Sequence, residues 1–156
     1  MKKFFLLSIS HLLFAAVGFA AGIYLLPILT APAGPTAETM AAAKGDAQYK
    51  GTFKRDLEGS DFLHWGEGEI SLGSKFISLQ GKIAPGPDYK LYLSPKLVET
   101  EADFNAIKAD MQVVADVKTF ENFVVSVPEN VDVSAYSAVI IWCESFGEFI
   151  TAASYQ

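Results

Sequence analysis

The chain divides where its hydrophobic period changes. Residues 4–29 are apolar almost without interruption and carry no Asp, Glu, Lys or Arg. As a helix rising about 1.5 Å per residue this run is about 39 Å long, against about 30 Å of bilayer hydrocarbon. Its Leu, Ile, Phe and Val residues outweigh Ser8, Ser10, His11 and Pro27, so the run is expected to span a membrane. A cleaved leader has an apolar core of only about 7–15 residues. Cleavage after Ala20, within Gly18-Phe19-Ala20-Ala21, is the competing reading, but Ile23, Tyr24, Leu25, Leu26, Ile28 and Leu29 continue the run beyond that point. Residues 30–46 are small and proline-bearing with no core pattern, and read as a flexible tether with no more than one helical turn near Ala41.

From Gln48 onward the period shortens to two and β-formers dominate. Strands are expected at residues 48–54, 62–65, 68–72, 75–80, 88–94, 111–117, 122–127, 137–143 and 146–153. A tight turn is expected at Leu72-Gly73-Ser74, and a chain break at Pro85-Gly86-Pro87. One helix is expected over 101–109 behind Thr100 as N-cap. This pattern describes a mainly β domain, an antiparallel sandwich or barrel with one short helix, preceded by the transmembrane segment. Ala138-Val139-Ile140-Ile141-Trp142-Cys143 is apolar on both alternations, so it belongs inside a sheet covered on both faces. The organisation is therefore 1–29 anchor, 30–46 tether and 47–156 β domain.

Charge narrows the partners and sets the orientation. The chain has a net charge of -6, and Lys2 and Lys3 precede all the acidic residues, so the domain itself is more acidic still. Such a surface repels phosphate backbones, and nucleic acid is not expected as a partner. Lys2 and Lys3 hold the N-terminus in the cytoplasm by the positive-inside rule. The domain then lies outside the cell membrane, periplasmic or extracellular, on a single-pass anchor through residues 4–29.

The candidate chemistry is sparse. Cys143 is the single cysteine, so it forms no internal disulfide. It is either buried and inert or kept for use. His64, in His64-Trp65-Gly66, is the only histidine of the domain and a candidate ligand or pKa partner. A Cys/His pair meeting in space suits a metal or haem iron, and the sequence specifies neither. No nucleophile–base motif, phosphate loop or dinucleotide fingerprint is present, so no catalytic residue and no enzyme activity are assigned.

Residues from about 49 to 153 resemble the DM-thirteen domain, a β-rich extracytoplasmic module described as a predicted electron-transfer domain. The segments that carry the resemblance are Gly51-Thr52-Phe53, His64-Trp65-Gly66-Glu67-Gly68 and Gly86-Pro87-Asp88-Tyr89-Lys90-Leu91-Tyr92-Leu93-Ser94. Most specific is the ending Val131-Asp132-Val133-Ser134-Ala135-Tyr136-Ser137 followed by Ala138 to Phe146. The resemblance implies that Cys143 is the redox residue, that His64 matches the family's histidine, and that an unidentified redox protein is a partner. Lys118-Thr119-Phe120-Glu121-Asn122 departs from the glycine-containing turn expected there. If Cys143 works as a redox thiol, its pKa is expected to be depressed, against the opposing charge of Glu144. The rival reading is a ligand- or protein-binding β domain in which Cys143 is structural.

Overall fold

The computed structural model describes residues 2–156; Met1, part of the expected anchor, lies outside them. Helix α1 (Lys2–Thr30) takes up the whole apolar run, with Pro27 in its last turn and no buried residue. By length and composition it can cross a membrane, its most apolar window having a mean hydropathy of 2.3.

The period-two region folds into two four-stranded antiparallel sheets. The first contains β1 (Ala47–Phe53), β2 (Gly66–Gly73), β3 (Phe76–Ile83) and β6 (Glu121–Ser126), in that order. The second is ordered β5 (Gln112–Val117), β4 (Tyr89–Ser94), β7 (Ala138–Cys143) and β8 (Glu148–Ser154). Alternating residues from both sheets, among them Phe53, Leu72, Leu79, Leu91, Val139 and Ile141, fill the space between them. The free edges β1 and β8 approach so closely at Gly51 that a Cβ there would lie 2.7 Å from the Ser154 carbonyl oxygen. A side chain at 51 would push the two sheets apart.

All six residues of β7 are buried, as its two apolar faces required. One face meets the inter-sheet core. The other carries Ile140 and Trp142 against α3 (Glu101–Ile107), where Trp142 stacks on Phe104 at 3.8 Å between ring centroids. Thr100 caps α3 by accepting from the Asp103 N–H at 3.1 Å, and a 3-10 turn, Lys108–Asp110, completes the expected helix.

Three local features differ from expectation. Residues 62–65 form a loop and not a strand, because the Asp61 carboxylate accepts the N–H groups of Leu63 and His64 at 2.7 Å each. Those donors are then taken from any sheet neighbour. Second, α2 (Ala37–Asp46) runs well beyond the single turn expected. It is capped by Thr36, buries Ala43, and ends with the Asp46 carboxylate accepting from Lys75 N at 2.7 Å and Phe76 N at 3.1 Å. Small alanines carry no hydrophobic stripe, so this packing was invisible as a pattern.

Third, the missing glycine at 118–122 is replaced by Asn122, whose φ of 50° lies in the left-handed region. Asparagine enters that region more readily than most residues. Its Oδ1 also accepts from the Gly81 N–H at 3.0 Å, holding β6 to β3 beside an irregularity in their pairing. Asn122→Val is expected to cost about 1–3 kcal/mol and Asn122→Gly less, read by chemical denaturation. Equal cost for the two would show that the backbone conformation is not what the site requires.

The fold should also weaken in alkali. Burial raises the phenols of Tyr89, Tyr92 and Tyr155 above their ordinary range. Between about pH 10, where unfolded tyrosines titrate, and the higher native values, the unfolded chain releases protons that the native state holds. Stability is therefore complete below about pH 10 and declines above it. A melting temperature that stays level well past that point would contradict the burial of the phenols.

Candidate functional site

Cys143 is the last residue of β7, opposite Tyr89 on β4 and Glu148 on β8. Alternation puts it on the inward face with Val139 and Ile141, and only 3% of it is exposed. The chain then reverses through a turn that Gly147 closes, with φ of 68° and an N–H donating to the Cys143 carbonyl at 2.9 Å. The turn is tied to the strand beside it. Glu144 N–H donates to the Asp88 carbonyl at 3.0 Å, and Ser145 Oγ donates to the Asp88 carboxylate at 2.8 Å.

Burial is the largest influence on the thiol and raises its pKa. The backbone N–H groups of Phe146, Asp88 and Ser145 act on the sulfur in the opposite sense, while the Asp88 charge adds to the rise. The net direction is upward, because a thiolate in apolar surroundings loses more solvation than three amide dipoles return. The expected depression is therefore absent. Glu144 is also not the opposing charge, because its carboxylate turns to the other face of the sheet. There it receives Lys108 Nζ at 2.8 Å and the Tyr92 hydroxyl, and these contacts overcome its own desolvation and keep its pKa low.

His64 reaches the same place from the loop before β2. Its Nδ1 lies 3.1 Å from Asp61 Oδ2. Burial would raise the Asp61 pKa, but the N–H groups of Leu63 and His64 and the imidazole outweigh it and keep the carboxylate ionised. The ionised partner assigns the proton to Nδ1 and leaves Nε2 as the acceptor. The loop is held by Asp61 N–H donating to the His64 carbonyl at 2.9 Å and Ala84 N–H to the Trp65 carbonyl at 2.9 Å. Arg55 stacks over Trp65 at 3.3 Å from its ring centroid while pairing with Glu67 at 2.7 Å.

Cys143 and His64 both line one cavity of about 410 Å³. Its domain wall is mostly apolar, formed by Leu63, Phe146, Ile150 and the segment from Pro85 to Pro87, with Tyr89 behind them and the Glu148 carboxylate beside Ile150 in the lining. Its remaining wall is α1, through Ala20, Ile23 and Tyr24. Sequence reasoning named the sulfur and the imidazole but missed Asp61, Tyr89 and the helix. The spacing Asp61-Phe62-Leu63-His64, an Asp three residues ahead of a His in a polar turn, was the available sign of the first. Nothing local marks the other two. Among the described residues, no group of three or more His, Cys, Asp or Glu side chains could hold a metal ion. A metal in this cavity would therefore need ligands from outside the chain.

No curated protein and no solved structure matches the chain. A family model described as "Electron transfer DM13" matches residues 56–155, from the loop after β1 to the end of β8, and so takes in both Cys143 and His64. The sandwich and this match agree with the resemblance of the β7 region: the chain belongs to the DM13 electron-transfer family.

Proposed function

We propose that the chain is a membrane-held electron-transfer module whose redox residue is Cys143, with His64 as its neighbour in the same cavity. In this reading residues 1–29 are the anchor, 30–46 the connection and 47–156 the working domain, outside the membrane. The observation that carries the reading is the meeting of the chain's one thiol and the domain's one imidazole on the walls of a single apolar cavity. Family membership supplies the reaction class. Asp61 on Nδ1 is the arrangement that orients an imidazole for ligation or hydrogen bonding through Nε2.

The site is half of a redox centre. One thiol cannot close a disulfide without a second sulfur, and one sulfur with one imidazole cannot fill a metal's coordination shell. The completing component, whether a partner's thiol, a haem, a metal with its own ligands or another redox molecule, comes from outside the chain.

The burial of Cys143 and its raised pKa favour the rival reading, a binding domain with the cysteine as core filler. Native-state alkylation across pH separates the two. Under the redox reading iodoacetamide enters through the cavity, and the rate keeps climbing past about pH 8.5, the ordinary thiol value. Cys143→Ser should lower the melting temperature by less than about 5 °C, under about 1 kcal/mol, and abolish the voltammetric response of protein purified from its membranes. A thiol silent until unfolding, together with a clearly destabilised serine variant, would falsify the electron-transfer role of Cys143.

Topology has its own test. The full-length chain should fractionate with membranes, and protease added on the outer side should digest the domain. A mature N-terminus at Ala21 would remove the anchor from the proposal.

A further inference from the structure

The cavity that holds Cys143 has a wall made by the membrane segment, and this fixes its depth. Hydrocarbon about 30 Å thick is crossed by about 20 helical residues. Counted from Phe4, the first residue after the two lysines, the far boundary falls at Ile23. Ala20, Ile23 and Tyr24, the α1 residues lining the cavity, are therefore at the outer edge of the lipid. Tyr24 occupies the level where membrane helices carry tyrosine, with its ring in the interface.

A second opening continues from the first. It has a volume of about 670 Å³, runs between α1 and the domain, and shares Ile23, Pro87 and Phe146 with the Cys143 cavity. Gly18 and Gly22 line it, and a Cβ at either would meet nothing within 4 Å. Gly18 lies five residues inward of Ile23, about 7.5 Å deeper in the bilayer. The two openings make one apolar passage from within the lipid to the thiol. At its domain end Leu63 and Phe146 are 40% and 52% exposed, an apolar rim on the domain side.

Besides the thiol, the polar side chains in this passage are Tyr24, His64, Tyr89 and Glu148 in the inner cavity and Thr30 and Ser145 in the outer opening. Tyr89 is 3% exposed, and its hydroxyl, beside Gly86, makes no hydrogen bond among the described residues. His64 presents an imidazole and Tyr24 a second phenol. The hydroxyl is not enclosed: it opens on the cavity, where it is a donor that a ligand can use. A ligand suited to these walls is largely apolar, enters from the membrane, and carries a hydrogen-bond acceptor at one end. In an electron-transfer protein that description fits a ring with two carbonyl oxygens on a hydrocarbon tail.

Building on the redox reading above, we propose that this passage binds the head of a lipid-soluble isoprenoid quinone, with its tail along α1 past Gly22 and Gly18, one carbonyl oxygen accepting from the Tyr89 hydroxyl, and His64 Nε2 placed to accept from a hydroxyl of the reduced head. The quinone is the component that completes the half-site.

The test uses the full chain in phosphatidylcholine nanodiscs with an azido-benzoquinone bearing an isoprenoid tail. Illumination should label the peptides holding Tyr24, Tyr89 and Phe146, and excess unmodified isoprenoid quinone should reduce that label by about tenfold. Ala20→Trp, which fills the passage from the helix side without touching the sandwich core, should reduce it to a similar extent and leave the domain's melting temperature unchanged. Label spread evenly along residues 4–29, competition by phospholipid alone, or indifference to Ala20→Trp would each overturn the proposal. Cys143→Ser separates this inference from the reading beneath it, because binding does not require the sulfur. Intact labelling with a silent electrode removes nothing from the quinone site. A Cys143-dependent response without labelling refutes the quinone and leaves the thiol's role standing.

Discussion

The structure depends on β7 being buried on both faces. A strand that shows apolar side chains on each alternation cannot lie at an edge or have one side in water, so β4 and β8 flank it and α3 covers it. Strict alternation then decides where the chemistry falls. With Trp142 committed to the stack on Phe104, Cys143 must turn inward beside Val139 and Ile141. A one-residue slip of β7 against β4 would exchange the two, putting the indole in the inter-sheet core and the sulfur under α3. The cysteine's position is thus inherited from packing, and its environment is that of a core residue at the end of a core strand.

That origin explains the electrostatics of the site. Glu144 is committed to Lys108 and Tyr92 on the α3 side, while Asp88 stays with the turn and adds to the rise in the thiol's pKa. Three backbone N–H groups act on the sulfur without a cationic side chain to help them. The site as folded holds a protonated thiol. At neutral pH, conversion to thiolate requires a change in its surroundings, such as an incoming ligand or partner that brings a positive charge or a metal.

Much of the fold was legible because the sandwich is built from period-two strands with strong contrast between faces, and because β7 lacks that contrast. The reading failed where backbone groups are satisfied by side chains. Residues 62–65 have the composition of a strand, but Asp61 takes their N–H groups. The helix α2 packs through Ala43, a residue too small to write a periodic signal. Cys143 and His64 were recognisable as rare residue types, whereas their shared cavity depends on tertiary placement. Tyr89 arrives through the β4–β7 register and Tyr24 through the seating of α1, and neither is encoded in local spacing. The departure at Asn122 was visible, but only the backbone angle shows that asparagine performs the glycine's task.

The close approach of β1 and β8 at Gly51 has a consequence for biosynthesis. The first strand of the domain reaches its final contacts only after β8 has left the ribosome, so the sandwich cannot close progressively from its N-terminal side. Long-range antiparallel pairing of this kind folds slowly. Helix α1 and β1 emerge well before β8, and the unclosed sheets therefore pass some time with the β1 edge unprotected. For a sheet protein that interval is when edge-to-edge misassociation with neighbouring nascent chains is most dangerous.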